Sequence, residues 1–141
     1  MQVRLAQDER ELAAALALRE RVFCGEQGVS LEVERDGRDL DALHVVALER
    51  ERVVGTCRLL FDRDRARLGR MAVEPGERRR GVGAGILAAA ERSAREAGAR
   101  RITLHAQIAV KDLYSRHGYI QHGEPFVEEG IDHVAMEKVL A

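Results

Sequence analysis

Leu68-Gly69-Arg70-Met71-Ala72-Val73, the turn Glu74-Pro75-Gly76, and then Arg78-Arg79-Arg80-Gly81-Val82-Gly83-Ala84 form the stretch that decides how this chain is read. A hydrophobic segment runs into a basic, glycine-bearing loop, and an alanine-rich helical stretch follows. Strand, basic loop and helix together build an anion site. The first N–H groups of a helix lack intrahelical partners and lie at the positive end of the helix dipole. Glycine lets a phosphate approach the backbone, and arginine adds forked donors. The expected occupant is a pyrophosphate. A P-loop needs Lys-Ser or Lys-Thr after its second glycine, and the chain contains neither pair. The dinucleotide fingerprint needs a third glycine three residues after the second, where this chain has Ile86. What remains is Arg78-x-x-Gly81-x-Gly83. With 21 arginines in the chain, the competing reading is a solvated basic turn that opens a helix.

The 141 residues fit one domain, residues 1–141, with enough chain to bury a normal core. Hydrophobic residues make up 45% and charged residues 33%, a globular balance. The net charge of -1 gives no global field toward nucleic acid or an anionic membrane, so neither is expected as a partner. No apolar run approaches the roughly 20 residues of a membrane span. Met1-Gln2-Val3-Arg4 leads straight into a strand-like segment with no signal peptide in view, so a cytoplasmic location is expected. Cys24 and Cys57 have neither metal nor disulfide spacing and read as reduced core thiols. No metal site is expected among the histidines.

Outward from the loop, alternation and punctuation predict the elements. Gln2 to Ala6 reads as an edge strand. Asp8 is an N-cap with Glu11 as its capping-box partner. Leu12, Leu16, Arg19, Val22 and Phe23 recur at helical spacing, which predicts an amphipathic helix from Glu9 to about Cys24. Gly28 to Leu40 reads as a loop. Leu43 to Glu49, Val53 to Phe61 and Ala66 to Val73 are strand-like. Gly81 to Ala97 is helix, capped by Gly98. Arg101 to Ala106 is a strand, Val110 to His117 a short helix closed by Gly118, and Tyr119 to His122 and His133 to Leu140 two more strands. This order predicts an α/β (α+β) chain: a mixed, mostly antiparallel sheet with helices on both faces.

Arg78-x-x-Gly81-x-Gly83 and Tyr114-x-x-x-Gly118-Tyr119, in this element order, resemble the GNAT N-acetyltransferases along essentially the whole chain. A set of further residues is similar to the ElaA-like branch: Leu18-Arg19-x-x-Val22-Phe23-x-x-Glu26-Gln27, Asp36-Gly37, His44, Gly69-Arg70, Ala106-Gln107 and Glu129-Gly130-Ile131-x-His133. The resemblance implies an acyl-CoA-dependent N-acyltransferase that moves acetyl from acetyl-CoA to a primary amine by direct attack. The acceptor would be a small amine or a protein amine, and the fold often dimerises. It also implies that Arg78, Arg79, Arg80, Gly81, Val82, Gly83 and Ala84 hold the pyrophosphate. Met71, Ala72 and Val73 would align the pantetheine arm like an added strand, with the Val73 N–H at the oxyanion. Tyr114 would protonate the departing thiolate.

The chain departs from the common family pattern on the strand before the loop, where many members carry a basic carboxylate and this one has Arg70. Glu26, after the first helix, is the expected general base, with His133 and Glu128 as rivals. Arg70, Gln107 and His133 are expected to meet the acceptor, and Arg70 would favour one carrying a carboxylate or phosphate. His44, Asp36 and Asp41 either line the pocket or brace the loop. The alternative reading is a non-catalytic acyl-CoA sensor or assembly subunit of the same fold, and Tyr114 argues against it because a sensor needs no acid.

Overall fold

The computed structural model describes residues 1–140. Its elements are β1 (Gln2–Leu5), α1 (Glu9–Arg19), α2 (Leu31–Glu34), β2 (Leu43–Glu49), β3 (Arg52–Asp62), β4 (Arg65–Val73), α3 (Val82–Glu96), β5 (Arg101–Gln107), α4 (Lys111–Arg116), β6 (Ile120–Glu128) and β7 (Ile131–Val139). Seven strands make one sheet in the order β1-β2-β3-β4-β5-β7-β6. Neighbours are antiparallel except β4 and β5, which run parallel and are joined through α3. The mixed sheet expected from the sequence is therefore present, with α1 on one face and α3 on the other.

Both faces are apolar where a helix covers them. Ile86, Leu87, Ala89 and Ala90 of α3 pack with Val45, Val54, Leu59, Ile102 and Leu104. Ala15 and Leu18 of α1 pack with Val46, Leu48, Val53 and Ala72 on the opposite face. Gly55 sets how closely α3 can lie on the sheet. A Cβ there would fall 2.7 Å from Ile86 Cδ1 and 2.8 Å from Val82 Cγ1.

Three local features differ from the sequence expectation. The first helix is α-helical only to Arg19 and continues as a π-helical turn, Glu20–Glu26, with Gln27 N–H donating to Val22 O at 3.1 Å. Its buried stripe is Glu11, Ala15, Leu18, Arg19 and Val22, with Leu12 and Leu16 only half-buried. Small Ala15 brings the helix close to the sheet, and Arg19 is buried because carboxylates wait for it. Second, the expected loop at 28–40 contains α2, capped by Ser30, whose side chain accepts from Val33 N–H. Third, β6 and β7 are longer than alternation indicated. Glu129 (φ 53°) and Gly130 (φ 73°) close them as a tight hairpin, and the Gly123-Glu124-Pro125 bulge had hidden the second half of β6.

At the start of α1, Asp8 caps as expected and accepts from Glu11 N–H at 2.8 Å. Glu11 reaches back one residue further than a capping box does, to Gln7 N–H at 2.9 Å, and pairs with Arg4 at 2.7 Å.

Candidate active site

The parallel pairing of β4 with β5 lasts only four residue pairs, from Arg65↔Arg101 to Leu68↔Leu104. Beyond it the strands separate. The reason is local: β4 bulges at Arg70–Met71, where two residues oppose Cys57 alone, and Arg70 takes φ 54°. The split opens a cleft of about 1060 Å³ lined from both strands, α2, the π-helical turn, the start of α3, and α4.

One end of the cleft is the basic, glycine-bearing loop that leads into α3. Gly81 is the N-cap of α3 at φ 82°, a left-handed conformation that costs a side-chain-bearing residue roughly 1–2 kcal/mol. No side chain caps this helix. The N–H groups of Val82, Gly83 and Ala84 precede the first helical bond, Gly85 N–H to Gly81 O at 3.0 Å, and are left for a ligand. Arg79 is also left-handed, at φ 65°. Successive N–H groups in such turns converge on an anion. Arg78 is already engaged: its Nη1 and Nη2 each donate to Glu26 at 2.7 Å, and its Nε donates to Val73 O at 3.0 Å.

Along the cleft wall, Glu74 N–H donates to Val54 O at 2.8 Å. That ladder bond makes the neighbouring pair Gly55↔Val73 a non-hydrogen-bonded one. The N–H and C=O of Val73 consequently point away from β3 and into the cleft. Tyr114 lies at the floor, 4% exposed, edge-on to Tyr119 with ring centroids 5.8 Å apart. Its hydroxyl has no hydrogen-bond partner among the described residues. Burial, reinforced by nearby Cys57, pushes the phenol well above its ordinary pKa. Burial also pushes the Cys57 thiol up to about 12, so Cys57 is inert packing.

The far end is built differently on its two sides. On one side, Arg19, Arg58 and Arg70 interlock with Glu34, Asp36 and Asp39. Arg19 donates to Glu34 at 2.9 Å and to Asp39 at 2.7 Å. Arg58 pairs with Asp36 and reaches Asp39 at 3.1 Å. Arg70 donates through Nε to Glu34 at 2.9 Å and through Nη2 to Asp36 at 3.3 Å. Hydrogen bonding from Arg58 holds Asp36 far below the usual carboxylate range. Burial opposes ionisation of Asp39, yet Arg19 and Arg58 outweigh it and its pKa is lowered. His44 Nε2 meets Asp39 O at 2.8 Å, so His44 braces this loop.

On the other side, the alternation of β5 puts His105 and Gln107 on one sheet face. His105 Nδ1 lies 3.0 Å from Glu128 Oε2, and Gln107 donates to Gln27 at 3.0 Å. Phe126 stands edge-on to His105, centroids 5.0 Å apart, and stacks on His133 at 5.9 Å. His133 is 7% exposed, with Nδ1 2.7 Å from Ile131 O.

Every residue expected at the site lines the cleft except Arg80, which lies outside it and pairs with Glu77 at 3.2 Å. Two of the others are committed to roles that differ from the sequence expectation. Glu26, expected as the base, is clamped by Arg78, whose hydrogen bonds hold its carboxylate below the ordinary range; this makes it a weaker base. Arg70, expected to reach for an anionic acceptor, spends Nε and Nη2 on Glu34 and Asp36. Sequence reasoning passed over His105 and Glu34. The alternating register of β5 carried the signal for His105; nothing local marked Glu34, whose partners lie 15 and 36 residues away.

A family model described as an acetyltransferase (GNAT) domain matches residues 6–140. The chain belongs to the GNAT acetyltransferase family. Among its relatives, the uncharacterised N-acetyltransferase YjcF of Bacillus subtilis is 34% identical over 139 residues, spanning 98% of this chain and 99% of the relative. The solved structure of an acyl-CoA N-acyltransferase from Pseudomonas aeruginosa superposes with a TM-score of 0.86 at 26% identity, covering 98% of this chain and 99% of that one. Escherichia coli ElaA shares the fold, with a TM-score of 0.88 at 24% identity over 98% of this chain and 99% of its own. This GNAT chain is an acyl-CoA-dependent acetyltransferase. No helix among the described residues is long and apolar enough to cross a membrane.

Proposed function

We propose that this acetyltransferase binds acetyl-CoA along the split between β4 and β5 and transfers the acetyl group directly to a primary amine at the Arg70–His133 end of the cleft. The observation that carries this reading is the uncapped start of α3, with the free N–H groups of Val82, Gly83 and Ala84 opening into a cleft whose wall turns Val73 N–H inward. These residues fit a pyrophosphate joined to an extended arm. Val82, Gly83 and Ala84 hold the anion, while Arg78, Arg79 and Arg80 draw it in. Val73 N–H donates to the arm or to the carbonyl oxygen that gains charge during attack.

Acetyl-CoA supplies the acyl group as an activated thioester. The chain's own residues orient it, exclude water and manage protons. Tyr114 keeps its proton because its pKa is raised. It is therefore a hydrogen-bond donor to charge developing on sulfur, and passes its proton as the thiolate departs. Calorimetric titration with acetyl-CoA and with free CoA tests the site, using wild type and Gly81→Glu. Saturable binding that the variant loses is expected. No binding of either ligand to wild type would reduce the loop to a helix entrance and withdraw the reading.

A further inference from the structure

We propose that His105, positioned by Glu128, is the group that takes the proton from the acceptor amine. The inference rests on the transferase reading above and adds the residue that reading lacks. An amine that arrives as ammonium has no lone pair to attack with, so a base near the split is required.

His105 is the first residue of β5 beyond the last β4–β5 pair, Leu68↔Leu104. That places it at the apex of the split, on the sheet face opposite the α3 packing. Its Nδ1 lies 3.0 Å from Glu128 Oε2. An ionised carboxylate only accepts, so Nδ1 carries the proton and the neutral ring holds its lone pair on Nε2. Phe126, edge-on at 5.0 Å, fixes the ring plane. The ring is 37% exposed within the cleft and can meet a substrate. A carboxylate behind an imidazole selects the tautomer and stabilises the imidazolium once it forms. Here the carboxylate comes from a different strand, across the β6–β7 hairpin.

The two rivals are less suited. Glu26 is neutralised by two 2.7 Å bonds from Arg78. His133 is nearly buried and has only a backbone carbonyl behind its Nδ1. Neither offers an exposed lone pair backed by a negative charge.

The chemistry balances. His105 Nε2 first takes the ammonium proton and passes it to water. The freed lone pair forms the C–N bond to the thioester carbonyl carbon, and the remaining surplus N–H proton then passes to the same Nε2. The C–S bond breaks with its electron pair on sulfur, which takes the Tyr114 proton. Loss of a proton from His105 to water and uptake of one by Tyr114 leave amide, thiol and the starting enzyme.

The test follows thiol release from acetyl-CoA with ethanolamine, glycinamide, spermidine and a lysine peptide as acceptors, across pH 6–10 (roughly the range in which histidine and amines titrate). His105→Gln is expected to lose at least about a hundredfold in kcat/KM with unchanged acetyl-CoA affinity, and to regain activity at high pH as the amine deprotonates in solution. Glu128→Gln is expected to lose about tenfold in kcat/KM, because the ring loses the carboxylate that orients it and faces the imidazolium as it forms. Glu128 pairs with His105, Arg67, Glu129 and His133 line the same cleft, and His122 and Glu137 lie in the same and the adjoining row of the sheet face and pair with each other, so His133→Gln and Arg67→Gln are run alongside. His122→Gln, on the outer part of β6, is the control. Histidine nitrogen NMR supplies a readout independent of turnover: His105 should carry its proton on Nδ1, and Glu128→Gln should weaken that tautomer preference. Full activity in His105→Gln, loss confined to His133→Gln, or a proton on Nε2 overturns the proposal while the transferase reading stands. Intact acetyl-CoA binding with no turnover of any amine removes both.

Discussion

Replacing Glu26 by Gln separates two accounts of the same carboxylate. In the free protein Glu26 takes two hydrogen bonds from Arg78, both at 2.7 Å. The side chains are 38% and 43% exposed, so solvent screens the pair and it stabilises the fold by no more than about 1 kcal/mol. An incoming pyrophosphate must compete with that carboxylate for Arg78. Glu26→Gln keeps the shape and removes the charge. It is expected to tighten CoA binding by up to about fivefold, the factor that 1 kcal/mol represents. The gain should shrink in about 1 M salt, where the Debye length falls to roughly 3 Å. At saturating acetyl-CoA, turnover should stay within about twofold of wild type. Calorimetry for CoA at two salt concentrations, with steady-state kinetics on the best acceptor, reads both quantities. A hundredfold fall in kcat with unchanged CoA affinity would refute the reasoning and return Glu26 to the role of base.

Further outcomes follow from the same geometry. Tyr114→Phe removes a donor to developing charge, a bond worth about 1.5–3 kcal/mol; kcat should fall roughly ten- to a hundredfold with CoA affinity retained, and an unchanged kcat at every pH removes Tyr114 from the chemistry. Glu34→Gln leaves Arg19 and Arg70 without their shared carboxylate; the cost of breaking such a buried pair is about 3–5 kcal/mol, seen as a Tm lowered by roughly 10 °C, and a Tm within two degrees of wild type would show that the arginines re-pair. Gly55→Val forces Ile86 and Val82 off the sheet, so it should weaken CoA binding as well as stability, since Val82 belongs to the phosphate loop; lost stability with unaltered CoA affinity would uncouple the two. Glu11 is held at about 2, first by the Arg4 hydrogen bonds and then by Gln7 N–H, and Asp36, Asp39 and Glu26 are lowered too. Stability from these groups is complete above the ordinary carboxylate pKa near 4 and is lost as pH falls toward 2; urea midpoints that stay level from pH 5 to 2.5 (a window of about two units below the free carboxylate value) would contradict this.

The glycine-capped, basic entrance to α3 could be read from sequence because it is local. Glycine at a left-handed cap and a helix start with no side-chain acceptor are set by residues 78–84 alone. The sheet type was legible for a similar reason: consecutive hairpins and one crossover helix imply a mixed, mostly antiparallel sheet. What stayed hidden depends on long-range partners. Arg19 looked like one member of an amphipathic stripe, yet it is buried because Glu34 and Asp39 reach it from a segment that reads as loop. The π-helical turn replaces an expected α-helical end, and no spacing rule marks where one residue is inserted. Glu128 is a rival base in the sequence reading, but its pairing with His105, 23 residues earlier in the chain, depends on the Glu129-Gly130 turn that folds β6 back on β7.

The split between β4 and β5 leaves two raw strand edges in the middle of a sheet. Proteins usually blunt such edges at their periphery with charge, proline or a covering loop, because unpaired backbone recruits foreign strands. Under the proposed function these edges receive the acyl-CoA. The empty enzyme therefore carries an association hazard that its substrate removes. A molecule lying in the split also stabilises the native state by mass action, so CoA should act as a preservative during expression and storage. Aggregation rates measured with and without CoA would read the width of that opening as a shelf life.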